Sequence, residues 1–179
     1  MKKKNISNPL EIALEHSTRI AHALEKLEEH GRGIRSRARE LPGLLAQSGL
    51  IPTVVLYMSK VGGKNSLFQN AFNFIDKGDE TVLENIREEF TDKEGTGYII
   101  FLAAIASALS KLTNNKINLM EQNGGYNQIS LHSIAENALK YLSKPSTESI
   151  ELAVGEKLLL EYLLQMKRLL EAFIPGTEE

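Results

Sequence analysis

Apolar positions recur every three to four residues along nearly the whole chain, and no stretch sustains an alternation of period two. This pattern predicts an all-α fold. It reads as a compact single-domain bundle of about six to seven helices over 1–179, with 1–7 and 175–179 frayed. Asn8 has the side chain of a helix N-cap, with Pro9 at the first helical position and Glu11 three residues after the cap. The stripe Ile20, Leu24, Leu27, Ile34, Ala38 and Leu41 then predicts one long first helix ending near Glu40. Gly31 and Gly33 lie within it and weaken it, so a kink or break is expected near His30.

Leu41-Pro42 reads as the start of a second element, because a residue before proline avoids the α region. Ser48-Gly49 divides that segment from a buried helix over Leu50–Val61, which Gly62-Gly63 stops. A helix over 64–76 follows, with Leu67, Phe68, Ala71, Phe72 and Ile75 on its core face. Asp79 caps an acidic helix to about Phe90, and the very apolar 95–112 comes next. The Asn- and Gly-rich stretch 113–128 reads as a flexible loop. Ser130 opens a helix carrying Ile134, Ala138 and Tyr141 on one face, and Ser146 or Thr147 caps a last helix over 148–174. That helix is apolar on most sides, so it is either central to the bundle or covered by a partner.

Composition narrows the function classes. The chain has 179 residues, 42% of them apolar and 25% charged, which is ordinary for one globular domain. With no cysteine, disulfides, thiolate metal sites and a cysteine nucleophile are excluded. The basic start lacks the apolar core of a secretory signal, and the longest apolar run is too short to span a bilayer, so a cytoplasmic location is expected. The net charge of −2 is a poor match to a free-standing nucleic-acid binder. Residues 1–40, however, hold nine Lys/Arg against six Glu, so any nucleic-acid contact belongs to a local patch.

Catalytic signatures do not assemble. His16, His22, His30 and His132 lack the one-turn spacing of a helical metal pair. Gly62-Gly63-Lys64-Asn65-Ser66 departs from a phosphate-binding loop: Met58 stands at the first glycine position and Asn65 follows the lysine. Carboxylates such as Glu25, Glu28, Glu29, Glu84, Glu88 and Glu89 lie on charged faces, and no serine sits in a nucleophile elbow. These features predict a protein that is not an enzyme and takes no cofactor or metal. The sharpest signal is basic. Arg32, Arg35 and Arg39 share one helix face if the helix continues, Arg37 flanks them, and Lys60 and Lys64 extend the patch. Such a patch suits phosphates or an acidic partner, or it is a solvated face paired with Glu28 or Glu40. No aromatic pattern for base stacking is present, so nucleic-acid contact is expected through the phosphate backbone.

The stretch Arg37–Val61, RARELPGLLAQSGLIPTVVLYMSKV, carries a resemblance. Arg37 and Arg39 end a basic helix, Leu41-Pro42 and the pair Leu44-Leu45 follow, Ser48-Gly49-Leu50 makes a turn, and Val54–Lys60 is an apolar helix ending in Ser-Lys. This order resembles the signature region of the small subunit of the Cmr-type (type III-B) CRISPR RNA-guided effector complex. Tyr162–Ala172 is similar to that family's closing helix through Lys167, Arg168, Glu171 and Ala172, although Leu164 or Gln165 stands where a tryptophan is usual. The resemblance covers about a third of the chain, at its two ends, and the stretch 113–128 is longer than in typical members.

The resemblance implies a small helical bundle without a nuclease centre, acting in antiviral defence. Its implied partners are the repeated backbone subunit, the large polymerase-like subunit, copies of itself, and guide and target RNA through the phosphate backbone. No membrane is among them. Arg32, Arg35, Arg37, Arg39, Lys60 and Lys64 would then line the RNA path, with Lys167 and Arg168 adding to it or to a subunit contact. Rival readings are a small subunit of another CRISPR type (III-A or I), a helical DNA-binding regulator, and an enzyme using the acidic helices. For the regulator, Leu50–Val61 is too apolar to serve as a reading helix.

Overall fold

The computed structural model describes residues 8–24, 27, 30–89, 93–120, 131–142 and 146–174. These residues form eight α-helices and one short 3₁₀ turn, with no strand among them. The helices are α1 (Pro9–Leu24), α2 (Gly31–Ser48), α3 (Leu50–Val61), α4 (Asn65–Lys77), α5 (Leu83–Glu89), α6 (Lys93–Leu112), α7 (Leu131–Leu142) and α8 (Ser146–Phe173).

The most apolar helix is the axis of the bundle. α6 is fully buried from Ile99 to Leu109, and α1, α2, α3, α4 and α8 all pack on it. A helix apolar on every side must be enclosed in this way, because no face of it can meet water. The helix is long and apolar enough to cross a membrane, yet its apolar window is 83% buried by the protein's own helices. α8 takes a different place from α6. Leu159, Tyr162, Leu163, Met166 and Leu170 face the core against α1, α2 and α6, whereas Ile150, Val154, Leu164 and Phe173 remain exposed.

Local signals set most helix ends. Asn8 caps α1, its Oδ1 accepting the N–H of Leu10 at 2.9 Å. Asp79 accepts from the Thr81 N–H at 3.1 Å and opens a 3₁₀ turn over Glu80–Val82. The acidic helix expected from Asp79 onward therefore starts at Leu83, after that turn. Gly49, with φ +79°, separates α2 from α3. An L-residue would be strained there, and a Cβ would lie 3.2 Å from Glu156 Oε1.

Two expectations from the hydrophobic pattern are corrected. The long first helix is two helices, α1 and α2, as the glycines near His30 allowed. Leu41-Pro42 starts no new element, since α2 runs through Pro42 to Ser48. Proline inside a helix loses one main-chain hydrogen bond and costs about 3 kcal/mol. Burial of Ala38, Leu41, Pro42 and Leu45 on one stripe offsets that cost.

Close approach also shapes the bundle. A Cβ on Gly97 of α6 would lie 2.7 Å from the Gly33 carbonyl oxygen and 2.8 Å from Arg37 Cγ. The crossing of α2 over α6 thus needs a residue without a side chain at 97. The stretch 113–128 is described as far as Met120, where Ile117 and Leu119 are buried and Thr113 Oγ1 accepts the Ile117 N–H at 3.0 Å. Residues 121–128, Ser130, and the caps of the last helix at Ser146 and Thr147 lie outside the described side chains.

Candidate nucleic-acid interface

The basic residues singled out in the sequence divide into two groups, and the division follows from helical geometry. Arg32, Arg35 and Arg39 stand three and four residues apart and share one side of α2. Arg32 and Arg39 are exposed and Arg35 is half-buried, while Ile34, Ala38 and Leu41 point into the core. Arg37, five residues after Arg32, sits roughly 140° around the helix from it.

α8 joins the first group. Arg39 Nε lies 3.3 Å from Glu171 Oε1, with both side chains substantially exposed. Near the other end of α2, the Leu50 N–H donates to Glu156 Oε1 at 2.7 Å. As α2 numbers rise α8 numbers fall, so the two helices run antiparallel. The last turns of α8 therefore lie beside the arginine side of α2. Lys167, half-buried, and Arg168, exposed, stand four and three residues before Glu171 and so share its side of α8. The segments Arg37–Val61 and Tyr162–Ala172, far apart in sequence, meet at this contact.

Arg37 is held by neighbours on α2 and α6. Its Nη1 lies 2.6 Å from the Tyr98 hydroxyl, to which it donates, and 2.7 Å from Glu40 Oε2. Its guanidinium carbon stands 4.6 Å from the centre of the Tyr98 ring. Tyr57 closes the cluster edge-on to Tyr98, with ring centres 5.0 Å apart. Burial pushes the Tyr57 hydroxyl well above its ordinary pKa, the charge of Arg37 opposing only part of that. These residues line a groove of about 410 Å³ between α2, α3 and α6, and Lys60 of α3 lines it too. Lys64 is tied elsewhere: its Nζ donates to the Glu89 carbonyl at the end of α5, at 2.9 Å. The expected continuous patch is thus an arginine face on α2 and α8, a separate groove holding Arg37 and Lys60, and a lysine engaged with α5. The sequence named Tyr57 and Tyr98 in neither role, since each sits singly among apolar residues and only the fold brings them together.

A second polar cluster lies inside the bundle. His16 Nδ1 and the Tyr162 hydroxyl are 2.8 Å apart, and both side chains are fully buried. Ser107 donates to Asp76 Oδ1 at 2.7 Å and stands 3.5 Å from His16 Nε2. Lys111 pairs with Asp76 at 3.1 Å. Burial lowers the His16 pKa to about 3, and the charges of Lys111 and Arg19 add to that while Asp76 opposes it. For Asp76, burial works to raise the carboxyl, but hydrogen bonds from Ser107 and Lys111 outweigh it and hold the group below its ordinary value. Serine, histidine and aspartate therefore meet, but not as a nucleophilic triad. The serine hydrogen is given to the carboxylate, and Ser107 is 1% exposed, beyond the reach of a substrate. The cluster joins α1, α4, α6 and α8 as a buried polar network. His30 is likewise buried, within 2.7 Å of the Thr96 hydroxyl. Among the described residues, no group of three or more His, Asp or Glu is placed to hold a metal ion.

No protein-family model, curated protein or solved structure was found to match the chain.

Proposed function

We propose that this chain is a non-catalytic small subunit of a type III-B CRISPR ribonucleoprotein complex, contacting the guide–target RNA path through phosphate-binding arginines. The observation that carries the reading is the Arg39–Glu171 contact, which sets Arg32, Arg35 and Arg39 on α2 beside the last turns of α8, where Lys167 and Arg168 stand. Guanidinium groups grip phosphates by paired hydrogen bonds, and contacts of this kind need no base sequence. The residues around them are those of the Leu-Pro…Ser-Gly-Leu segment and of the closing helix, which carry the resemblance. A protein acidic overall, with three arginines on one side of α2, suits a subunit that meets protein elsewhere on its surface.

The DNA-regulator reading has less support. The first turns of α3, which a reading helix would present to the bases, expose Pro52, Val55 and Leu56, and Ser59 and Lys60 come only at its end.

The reading is tested by reversing charge at Arg35 and Arg39 together and measuring target-RNA binding by the assembled complex across a salt series. Loss of two phosphate contacts should weaken binding and flatten the salt dependence by roughly 1 to 2 in the slope of log K against log salt. Unchanged affinity and unchanged slope would overturn it.

A further inference from the structure

Arg37 and Lys60 stand apart from the arginine face, and the groove they share has its own chemistry. Leu44 and Leu56 give it apolar lining, Gln47 an amide, Glu40 a carboxylate, and Arg37 and Lys60 two positive charges. The guanidinium of Arg37 is fixed against Tyr98 by its hydrogen bond and its place over the ring. A planar cation held in this way is a surface on which a nucleobase stacks. Amide and carboxylate groups pair with the donors and acceptors on base edges. The exposed ammonium of Lys60 supplies a phosphate partner. The volume of about 410 Å³ falls at the small end of ligand pockets, roughly 300–1,000 Å³, and suits one nucleotide. Gly43 at the lip has open space where a side chain would be, which leaves the approach from the arginine face clear.

We infer that this groove holds one unpaired nucleotide, its base against the Arg37–Tyr98 pair and its phosphate at Lys60. The inference rests on the RNA-contact reading proposed above and gives it a second subsite. A helix is about 10–12 Å across with its side chains, so the arginine face and the groove lie within one or two nucleotides of each other around α2. The Glu40 contact to Arg37 does not close the site. Arg37 is 12% exposed and Glu40 54%, so the carboxylate is the partner that can swing toward water and uncover the guanidinium edge.

The test uses the full chain with isotopically labelled tyrosine rings, titrated by NMR with adenosine monophosphate and, separately, with ribose 5-phosphate. Adenosine monophosphate should shift the Tyr98 ring signals to saturation, and ribose 5-phosphate should leave them in place. K60E, a change at an exposed position, should weaken the nucleotide about fivefold. The inference is overturned by an unresponsive Tyr98, by an equal response to ribose 5-phosphate, by an indifferent K60E, or by an acidic peptide that moves Tyr98 where the nucleotide does not. The two readings fail separately. An R35E/R39E protein that loses RNA binding, with no nucleotide response in the groove, removes the groove alone. A nucleotide response with unchanged RNA binding in that variant removes the arginine face alone.

Discussion

Glu156 of α8 caps α3: its Oε1 accepts the main-chain N–H of Leu50 at 2.7 Å. The first amides of a helix have no partner within it, and a carboxylate there also meets the positive end of the helix dipole. Gly49 leaves room for this contact, since a Cβ would stand 3.2 Å from the same oxygen. The Ser48-Gly49 turn is therefore held by a residue more than a hundred positions away.

Removing that cap should cost what other N-caps cost. Glu156→Ala is expected to lower the unfolding free energy by about 1 kcal/mol in a urea titration. Glu156→Gln keeps an acceptor oxygen and should recover more than half of the loss. Equal losses in the two variants would mean that the side chain acts through charge alone and not through the Leu50 hydrogen bond.

Much of this architecture was legible from local pattern. The Ser48-Gly49 division, the stop at Gly62, the span Leu50–Val61 and the burial of 99–109 follow from glycine positions and apolar runs, which are short-range signals. Pro42 misled because the local penalty of proline is visible in the sequence and the packing that offsets it is not. Gly97 carried no signal in the local pattern, since only the fold shows that α2 crosses α6 there at a distance that a Cβ on Gly97 would block. In the basic patch, spacing placed Arg32, Arg35 and Arg39 correctly on one side of α2. The partners that separate Arg37 from them, Tyr98 and Tyr57, come from other helices, so helical spacing alone carried no trace of them.

The His16 cluster makes stability depend on pH. His16 is lowered to about 3 by burial first and then by Lys111 and Arg19, so in the native state it is neutral far below its ordinary value of 6.5. The unfolded chain then binds the extra proton, and stability present above pH 6.5 is lost as pH falls toward 3. Each unit below 6.5 should remove about 1.4 kcal/mol through this group. Asp76 acts with the same sign but lower, because its held-down carboxyl matters only below its ordinary value of 3.8. The window from pH 6 to 5 therefore isolates the histidine. His16→Gln should be less stable than the parent at pH 7, with the gap narrowing by about 1.4 kcal/mol over that unit. Parallel stability curves for the two proteins across that window would show that His16 is not buried as a neutral ring.

Glu171 places a negative charge within the proposed RNA face, 3.3 Å from Arg39 Nε and three residues from Arg168. Both partners of the ion pair are exposed, so Glu171→Gln should change unfolding stability by less than about 0.5 kcal/mol. Its effect on RNA should be larger and of the opposite kind. Neutralising the carboxylate releases Arg39 and raises the local positive potential, so target-RNA affinity of the assembled complex should increase about two- to threefold at low salt. The gain should fade as salt rises, because an exposed charge is screened over roughly 10 Å at 0.1 M. Glu171→Ala should show the same salt-dependent gain, which separates charge from any contact made by the glutamine amide. An affinity that stays level or falls in both variants at low salt would mean that RNA phosphates do not approach Arg39 and Arg168, whatever else α2 contacts.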